Sequence, residues 1–256
     1  MKSFYEAETP EEALEIYFQS DSELYGQIKN RVIEESLCAI YGKDLWPNLK
    51  VMEVGAAGGI WTEFFLKKGA SVTCIDTSEQ ILKGNAKLHP QANFVLADAA
   101  TVALKTEFDL VFAKDVIEHI RNDGEFLRNM NRHLKDDGRI MLITQNSWSL
   151  NYLIQGSYHF LRGDKNWYGW DPTHVRFYNA VSLRRKLKAA GFQPGRWFGN
   201  YYFPYRILQD RLGINAGLKF FNGIELLHLY DKPPFSVTGW SIGVVARKTS
   251  RRAVIK

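Results

Sequence analysis

The side chains best placed to do chemistry in this 256-residue chain fall into two groups. The first is Val51-Met-Glu-Val-Gly-Ala-Ala-Gly-Gly59, an apolar run that passes straight into a glycine-rich turn, with Glu53 two places before Gly55. Glycine at a strand-to-helix turn lets the backbone come close to a ligand, and the helix that follows offers free N–H groups. Asp76 ends the next apolar run, where an acid is the usual partner for a ribose hydroxyl pair. Together they predict a site for a nucleoside-containing cofactor in the first half of the chain. The dinucleotide fingerprint G-x-G-x-x-G is not met, because Ala57 and Ile60 stand where its second and third glycines belong. A carboxylate at Glu53 suits a cationic ligand without phosphates.

The second group is Lys114-Asp-Val-Ile-Glu-His119. Asp115, Glu118 and His119 are spaced i, i+3, i+4, so one helical turn would bring all three to one side. They could line a polar substrate pocket or cap nearby backbone. They could also bind a divalent ion such as Mg²⁺, Mn²⁺ or Zn²⁺, with His174 of Asp171-Pro-Thr-His-Val-Arg-Phe-Tyr178 as a fourth ligand. Without a metal, His119 or His174 could serve as general base on a substrate hydroxyl, because imidazole titrates near neutrality. Arg176 either bridges to a neighbouring helix or receives an anionic group.

These residues need a scaffold that brings strand ends together. Thr9-Pro-Glu-Glu12 reads as a helix start with a capping box, and helical patterning runs on to about residue 40 with a break near Ser20-Asp21. Short apolar runs then predict strands at 50–55, 71–76, 93–97, 109–114 and 139–145, with helices at 59–69, 78–88 and 122–135 between them. Thr77 with Gln80 is expected to cap the helix after Asp76, and Asp136-Asp-Gly138 to end the helix of 122–135. Asp98-Ala99 closes the third strand. Alternation of this kind argues for a parallel sheet covered by helices on both faces. Further on come an aromatic-rich stretch at 147–170, a helix at 180–190 closed by Gly191, and late strands at 192–200 and 238–247. An aromatic-rich insertion at about 201–235 separates those two strands. The expected organisation is an N-terminal helical cap (1–44), a main domain (45–248) and a basic tail (249–256).

Charged residues make up 24% and apolar residues 45% of the chain, so it is an ordinary globular sequence. The net charge of +5 is partly in the tail, and no dense Lys/Arg cluster of the nucleic-acid-binding kind is visible. Cys38 and Cys74 have no metal-type spacing, which fits a reduced, cytoplasmic protein, and Cys74 is expected to be an inert core thiol. The acidic N-terminus is no signal peptide, and no apolar run approaches the roughly 20 residues that span a bilayer. Aromatic density beside a pocket implies a ring-containing or apolar small-molecule substrate, and would permit peripheral contact with a membrane surface.

On these residues the chain resembles the class I S-adenosylmethionine-dependent methyltransferases, whose first motif is commonly E-x-G-x-G-x-G. Glu53, Gly55 and Gly59 match, and Ala57 replaces the middle glycine. The resemblance covers roughly 45–248 and implies a Rossmann-like α/β fold with a seven-stranded sheet whose last strand is antiparallel. It also implies S-adenosylmethionine as cofactor, held by Glu53, Gly55, Ala57, Gly59, Asp76, Thr77, Asp98, Ala99 and Lys114, with Asp98 accepting from the adenine amine. The Asp115-x-x-Glu118-His119 run with His174 is similar to two groups of metal-dependent O-methyltransferases, those of ubiquinone biosynthesis and the small-RNA 2′-O-methyltransferases. Asp115 stands in place of their usual first Glu. This implies that Asp115, Glu118, His119 and His174 hold a divalent ion and that the methyl acceptor is a hydroxyl. Competing expectations are N- or C-methylation, a non-catalytic cofactor-binding module, and an oxidoreductase, the last disfavoured by the missing glycines.

Overall fold

A computed structural model describes residues 9–12, 14–15, 24–44, 46–164, 167–169, 171–202 and 227–249. Most of the 201–235 insertion, the tail beyond Thr249 and the break near Ser20-Asp21 lie outside them. The Thr9 cap forms as the sequence demands, with the Glu12 N–H donating to Thr9 Oγ1 at 3.1 Å. The elements then follow as α1 (Leu24–Tyr41), β1 (Lys50–Val54), α2 (Ile60–Lys67), β2 (Ser71–Asp76), α3 (Glu79–Leu88), β3 (Asn93–Leu96) and β4 (Phe108–Lys114). After a 3₁₀ turn (Ile117–His119) come α4 (Asp123–His133), β5 (Leu134–Gln145), α5 (Leu150–Leu161), α6 (Ala180–Ala189), β6 (Phe192–Asn200), a short α7 (Phe235–Thr238) and β7 (Ser241–Lys248).

The strands form one seven-stranded sheet in the order β3-β2-β1-β4-β5-β7-β6. The first five are parallel, and β7 runs antiparallel to both β5 and β6. Alternation along each strand sends side chains to opposite faces. Met52, Val111 and Leu142 pack with Phe126, Leu127 and Met130 of α4 and Leu183 and Leu187 of α6. Val51, Leu110, Phe112 and Met141 pack on the other face with Ile33 and Leu37 of α1 and Trp61 and Phe65 of α2. The order reverses direction between β1 and β4, so a crevice opens beyond their carboxyl ends, where ligands bind in open α/β sheets.

Two local expectations are corrected, and one element was not expected. Thr77 does not cap α3. Asp76 Oδ1 accepts the Ser78 N–H at 2.9 Å, which carries the chain one residue further, and the Ser78 hydroxyl accepts from Ile81 N at 3.4 Å. Asp136-Asp-Gly138 do not end α4, which stops at His133. Leu134 already pairs with Phe108, Arg139 pairs with Leu110, and the residues between are taken up in an irregularity of the ladder. The aromatic stretch 147–170 contains a helix, α5, whose pattern is inverted. Its buried positions are Asn151 and Gln155, while Leu150, Leu153, Ile154, Phe160 and Leu161 are exposed, so an inward apolar face was not there to be read.

Glu53 is the polar exception in the sheet. It is 1% exposed, and its Oε2 accepts from Thr62 Oγ1 at 2.6 Å and from Cys74 Sγ at 3.5 Å. It thus joins β1, α2 and β2 beneath the glycine turn, and Cys74 is a partner in that network as well as a core thiol. Burial pushes the Glu53 carboxyl up to about 7. Its folded-state value lies above its ordinary 4.5, so the folded chain holds this proton more tightly. That contribution to stability is full below about pH 4.5 and is lost as the pH rises through about 7. Glu53→Gln keeps an acceptor for Thr62. Urea titrations across this window are expected to show wild-type stability falling relative to the variant, by about 3 kcal/mol at most.

The turn itself makes a second prediction. Gly59 has φ 78°, and a Cβ there would lie 2.0 Å from Asn85 Oδ1, whereas Gly42, at φ 83°, has open space around it. Gly42→Ala should cost about 1 kcal/mol for the left-handed conformation alone. Gly59→Ala should cost about 2–3 kcal/mol, because Asn85 must also move. Equal urea midpoints for the two variants would contradict this packing.

Candidate functional site at the carboxyl ends of β1, β2 and β4

Between β1 and α2, Gly55, Ala57 and Gly59 all have positive φ (76°, 45° and 78°). The turn is held from three sides. The Gly55 N–H donates to Ile75 O at 2.8 Å, and the Ala56 N–H donates to Asp76 Oδ2 at 3.1 Å. Asn85 Nδ2 donates to Ala57 O at 2.8 Å and to Ile81 O at 3.1 Å. Ala57 occupies a left-handed conformation, which is why glycine is the usual residue for such a position. Burial raises the Asp76 carboxyl above its ordinary value, and the backbone N–H groups of Ser78 and Ala56 only partly offset this. Asp98 is exposed at the end of β3, and its Oδ1 accepts the Ala100 N–H at 2.7 Å. Ala99 is buried, with its carbonyl accepting from Asn129 Nδ2 at 2.9 Å. Thr77 is exposed, and Lys114 ends β4 with its ammonium 3.8 Å from Asp115 Oδ2.

Beyond β4 the backbone does not form the expected helical turn through Asp115. That residue has φ 54°, and only Ile117–His119 form a 3₁₀ turn. Glu118, His119 and His174 come together, with one ligand-type atom from each lying within 4.8 Å of the others. Asp115 is not in this group. It pairs with Lys29 of α1, and Gln145 Nε2 donates to its Oδ1 at 3.4 Å. Burial alone would raise the Asp115 carboxyl, but Lys29 and Lys114 outweigh it and hold it below the ordinary range.

Both imidazoles are oriented through Nδ1. Thr173 Oγ1 donates its proton to Asp171 Oδ1 at 2.6 Å, so at 2.8 Å from His119 Nδ1 it can only accept. His174 Nδ1 lies 2.7 Å from Tyr168 O, which is also an acceptor. Each Nδ1 therefore carries the hydrogen in the neutral ring, leaving the Nε2 lone pair open. Burial, helped by His174, lowers the His119 pKa, so this ring is neutral near pH 7. Glu118 Oε2 accepts from Thr144 Oγ1 at 2.8 Å, while Oε1 is buried without a hydrogen-bond partner among the described residues. Burial and the neighbouring Asp115 charge raise the Glu118 carboxyl to about 8. Two imidazole nitrogens and one unpartnered buried carboxylate oxygen are a donor set that fits a divalent ion.

A clamp holds the two chain segments of this cluster together. The Val175 N–H donates to Glu118 O at 2.9 Å, and Arg176 donates to the carbonyls of Ile120 and Arg121. Arg176 also pairs with Asp123 at 2.7 Å, so it is the helix-bridging residue of the two alternatives. The sequence reading did not find Lys29, Asn85, Asp171, Thr173 or Gln145. Only the Asp-x-Thr spacing of Asp171 and Thr173 was local enough to have suggested a turn.

A family model described as a methyltransferase domain matches residues 26–194. A ubiquinone biosynthesis O-methyltransferase of Idiomarina loihiensis is 30% identical over 176 residues, which is 63% of this chain and 66% of that protein's length. The chain thus spans just under two thirds of that relative. Among solved structures, magnesium protoporphyrin IX methyltransferase from Synechocystis with bound S-adenosylhomocysteine superposes with a TM-score of 0.61 at 16% identity, covering 91% of this chain and 88% of that one. The 1,6-didemethyltoxoflavin-N1-methyltransferase of Burkholderia thailandensis, also with S-adenosylhomocysteine, gives a TM-score of 0.56 at 17% identity over 94% and 87%. Similarity at this level establishes the fold, and the family model covers most of the chain: this protein belongs to the methyltransferase-domain family.

Proposed function

We propose that the chain binds S-adenosylmethionine at the β1–α2 turn and transfers its methyl group to a hydroxyl of a ring-containing, apolar small molecule. The cluster of Glu118, His119 and His174 carries the reading, because it presents proton-accepting or metal-binding groups beside the carboxyl ends where the cofactor would lie. The bound S-adenosylhomocysteine of the two structural neighbours supports the cofactor, and the ubiquinone-type relative supports an oxygen acceptor. Asp76 would receive the ribose hydroxyls on its remaining lone pairs, and Asp98 would face the adenine amine. Gly55, Ala57 and Gly59 would present backbone to the methionine portion, with Glu53 supporting the turn from below. The exposed apolar side chains of α5 favour an acceptor with an apolar portion.

The reaction is an in-line displacement. The acceptor oxygen attacks the sulfonium methyl, the carbon–sulfur bond breaks with its electron pair going to sulfur, and S-adenosylhomocysteine leaves. The hydroxyl proton passes to the open Nε2 of His119 or His174. If a divalent ion is bound by Glu118, His119 and His174, it supplies acidification and orientation of the acceptor hydroxyl. The protein's own contribution is to fix both rings through Thr173 and Tyr168, and to hold Glu118 through Thr144.

Titration of S-adenosylhomocysteine followed by Mn²⁺, Mg²⁺ or Zn²⁺, read by calorimetry, tests both halves. Asp76→Ala is expected to weaken cofactor binding at least about tenfold with little change in unfolding temperature. No heat on addition of the cofactor to the wild type would sink the reading. His174→Ala should abolish saturable metal uptake. In turnover with labelled cofactor and catechol-type acceptors, His119→Ala should lower kcat about 10²–10⁴-fold. Loss of activity with a chelator and its return with Mn²⁺ would select metal assistance, and indifference to the chelator would select an imidazole base.

A further inference from the structure

We propose that Lys29 holds Asp115 out of the Glu118–His119–His174 cluster, so that helix α1 sets how tightly this cluster binds a divalent cation. The inference rests on the metal-binding form of the proposed function. Asp115 stands three residues before Glu118 on the same loop beyond β4, and its charge is felt at both Glu118 and His119. Yet its oxygens are engaged elsewhere. Lys29, 86 residues away, reaches it from α1 with only 12% of its side chain exposed. Lys114 stands 3.8 Å off, and Gln145 donates to the other oxygen.

The backbone shows the same constraint. Asp115 sits at φ 54°, a left-handed conformation that few non-glycine residues adopt, although aspartate does so more readily than most. Its N–H is fixed to Ile143 O at 2.9 Å, so the side chain leaves β4 in a set direction. Lys29 also cancels the Asp115 charge beside the cluster. Removing the ammonium would leave Asp115 with Lys114, 3.8 Å away, and Gln145 alone, so more of its negative charge would act on the cluster, a situation that a divalent cation relieves. Lys29 is in this sense a positioning residue that acts through Asp115.

Mn²⁺ titrations of the full chain, read by calorimetry, test this without any turnover. Lys29→Met is expected to bind Mn²⁺ about tenfold more tightly than the wild type, and Lys29→Arg about equally. Damage to the fold would weaken binding, so a gain separates positioning from mere structure. The double variant Lys29→Met/Asp115→Asn removes both charges and should return to wild-type affinity, and it remains informative if the single variant does not fold. Affinity in folded Lys29→Met equal to or weaker than wild type would overturn the inference. So would a double variant that loses Mn²⁺ as completely as Glu118→Gln does, because Asp115 would then be a ligand in the wild type. If neither wild type nor Lys29→Met takes up Mn²⁺, the metal reading fails and the inference with it. Uptake by Lys29→Met alone would support it.

Discussion

Within five residues, from Gly55 to Gly59, the backbone takes a left-handed conformation three times, and the bonds that hold this turn set the geometry of everything around it. Such a segment has little preference for its own shape, so its neighbours must impose it. Asp76 grips it through the Ala56 N–H, Asn85 through the Ala57 carbonyl, and Glu53 fixes Thr62 in the first turn of the following helix. These contacts come from β2, α3 and β1, so the turn is rigid only when the sheet and both helices are in place. A site that needs backbone N–H groups aimed at a ligand is thereby built into the fold's assembly.

The acids around the carboxyl ends show how burial and partners divide the work. Glu53 and Glu118 are buried with hydroxyl donors, and burial wins, pushing them to about 7 and about 8. Asp115 is also withdrawn from water, yet two lysines keep it ionised. Neighbouring carboxyls thus differ in protonation near neutrality, and the difference follows from who faces them. A Glu118 carboxyl raised to about 8 beside a His119 ring whose pKa burial lowers keeps the charge of this pair low, which lets ligand groups be packed closely before any ion arrives.

Much of the scaffold was legible because it is written in local pattern. The five parallel strands are short apolar runs, the glycine turn follows the first of them, and Asp76 falls at a strand end by simple counting. The late pair of strands, with only the seventh reversed, and the family were reachable from the order of motifs. The failures are where a local rule met a longer-range demand. Thr77 has the capping-box spacing, but the Asp76 carboxylate moves the cap to Ser78. Asp115, Glu118 and His119 have helical spacing, but Asp115 is tied to β5 and α1 before a helix can begin. Helix α5 buries Asn151 and Gln155 instead of its leucines, which defeats any reading based on an apolar inward face. Lys29 and Asn85 reach their partners across 86 and 28 residues, and no spacing rule covers such pairs.

The meeting of His119 and His174, rings 4.7 Å apart, has a specific mechanical origin. Asp123 opens α4 with a carboxylate that is 5% exposed and takes Arg176, Lys186 and the Tyr178 hydroxyl at once. A buried acid with so many donors stays charged, since burial is outweighed by Lys186, Tyr178 and Arg176. Removing one partner from such a group costs far more than an exposed ion pair would, because the remaining charge is left in a poor solvent. Arg176 directs its other hydrogens to the Ile120 and Arg121 carbonyls, so the segment carrying His174 is stitched to the one carrying His119 just beyond both imidazoles. The Val175 N–H to Glu118 carbonyl bond then fixes the register. Once that register is set, Thr173 falls opposite His119 and orients its ring, while His174 is oriented within its own segment by the Tyr168 carbonyl.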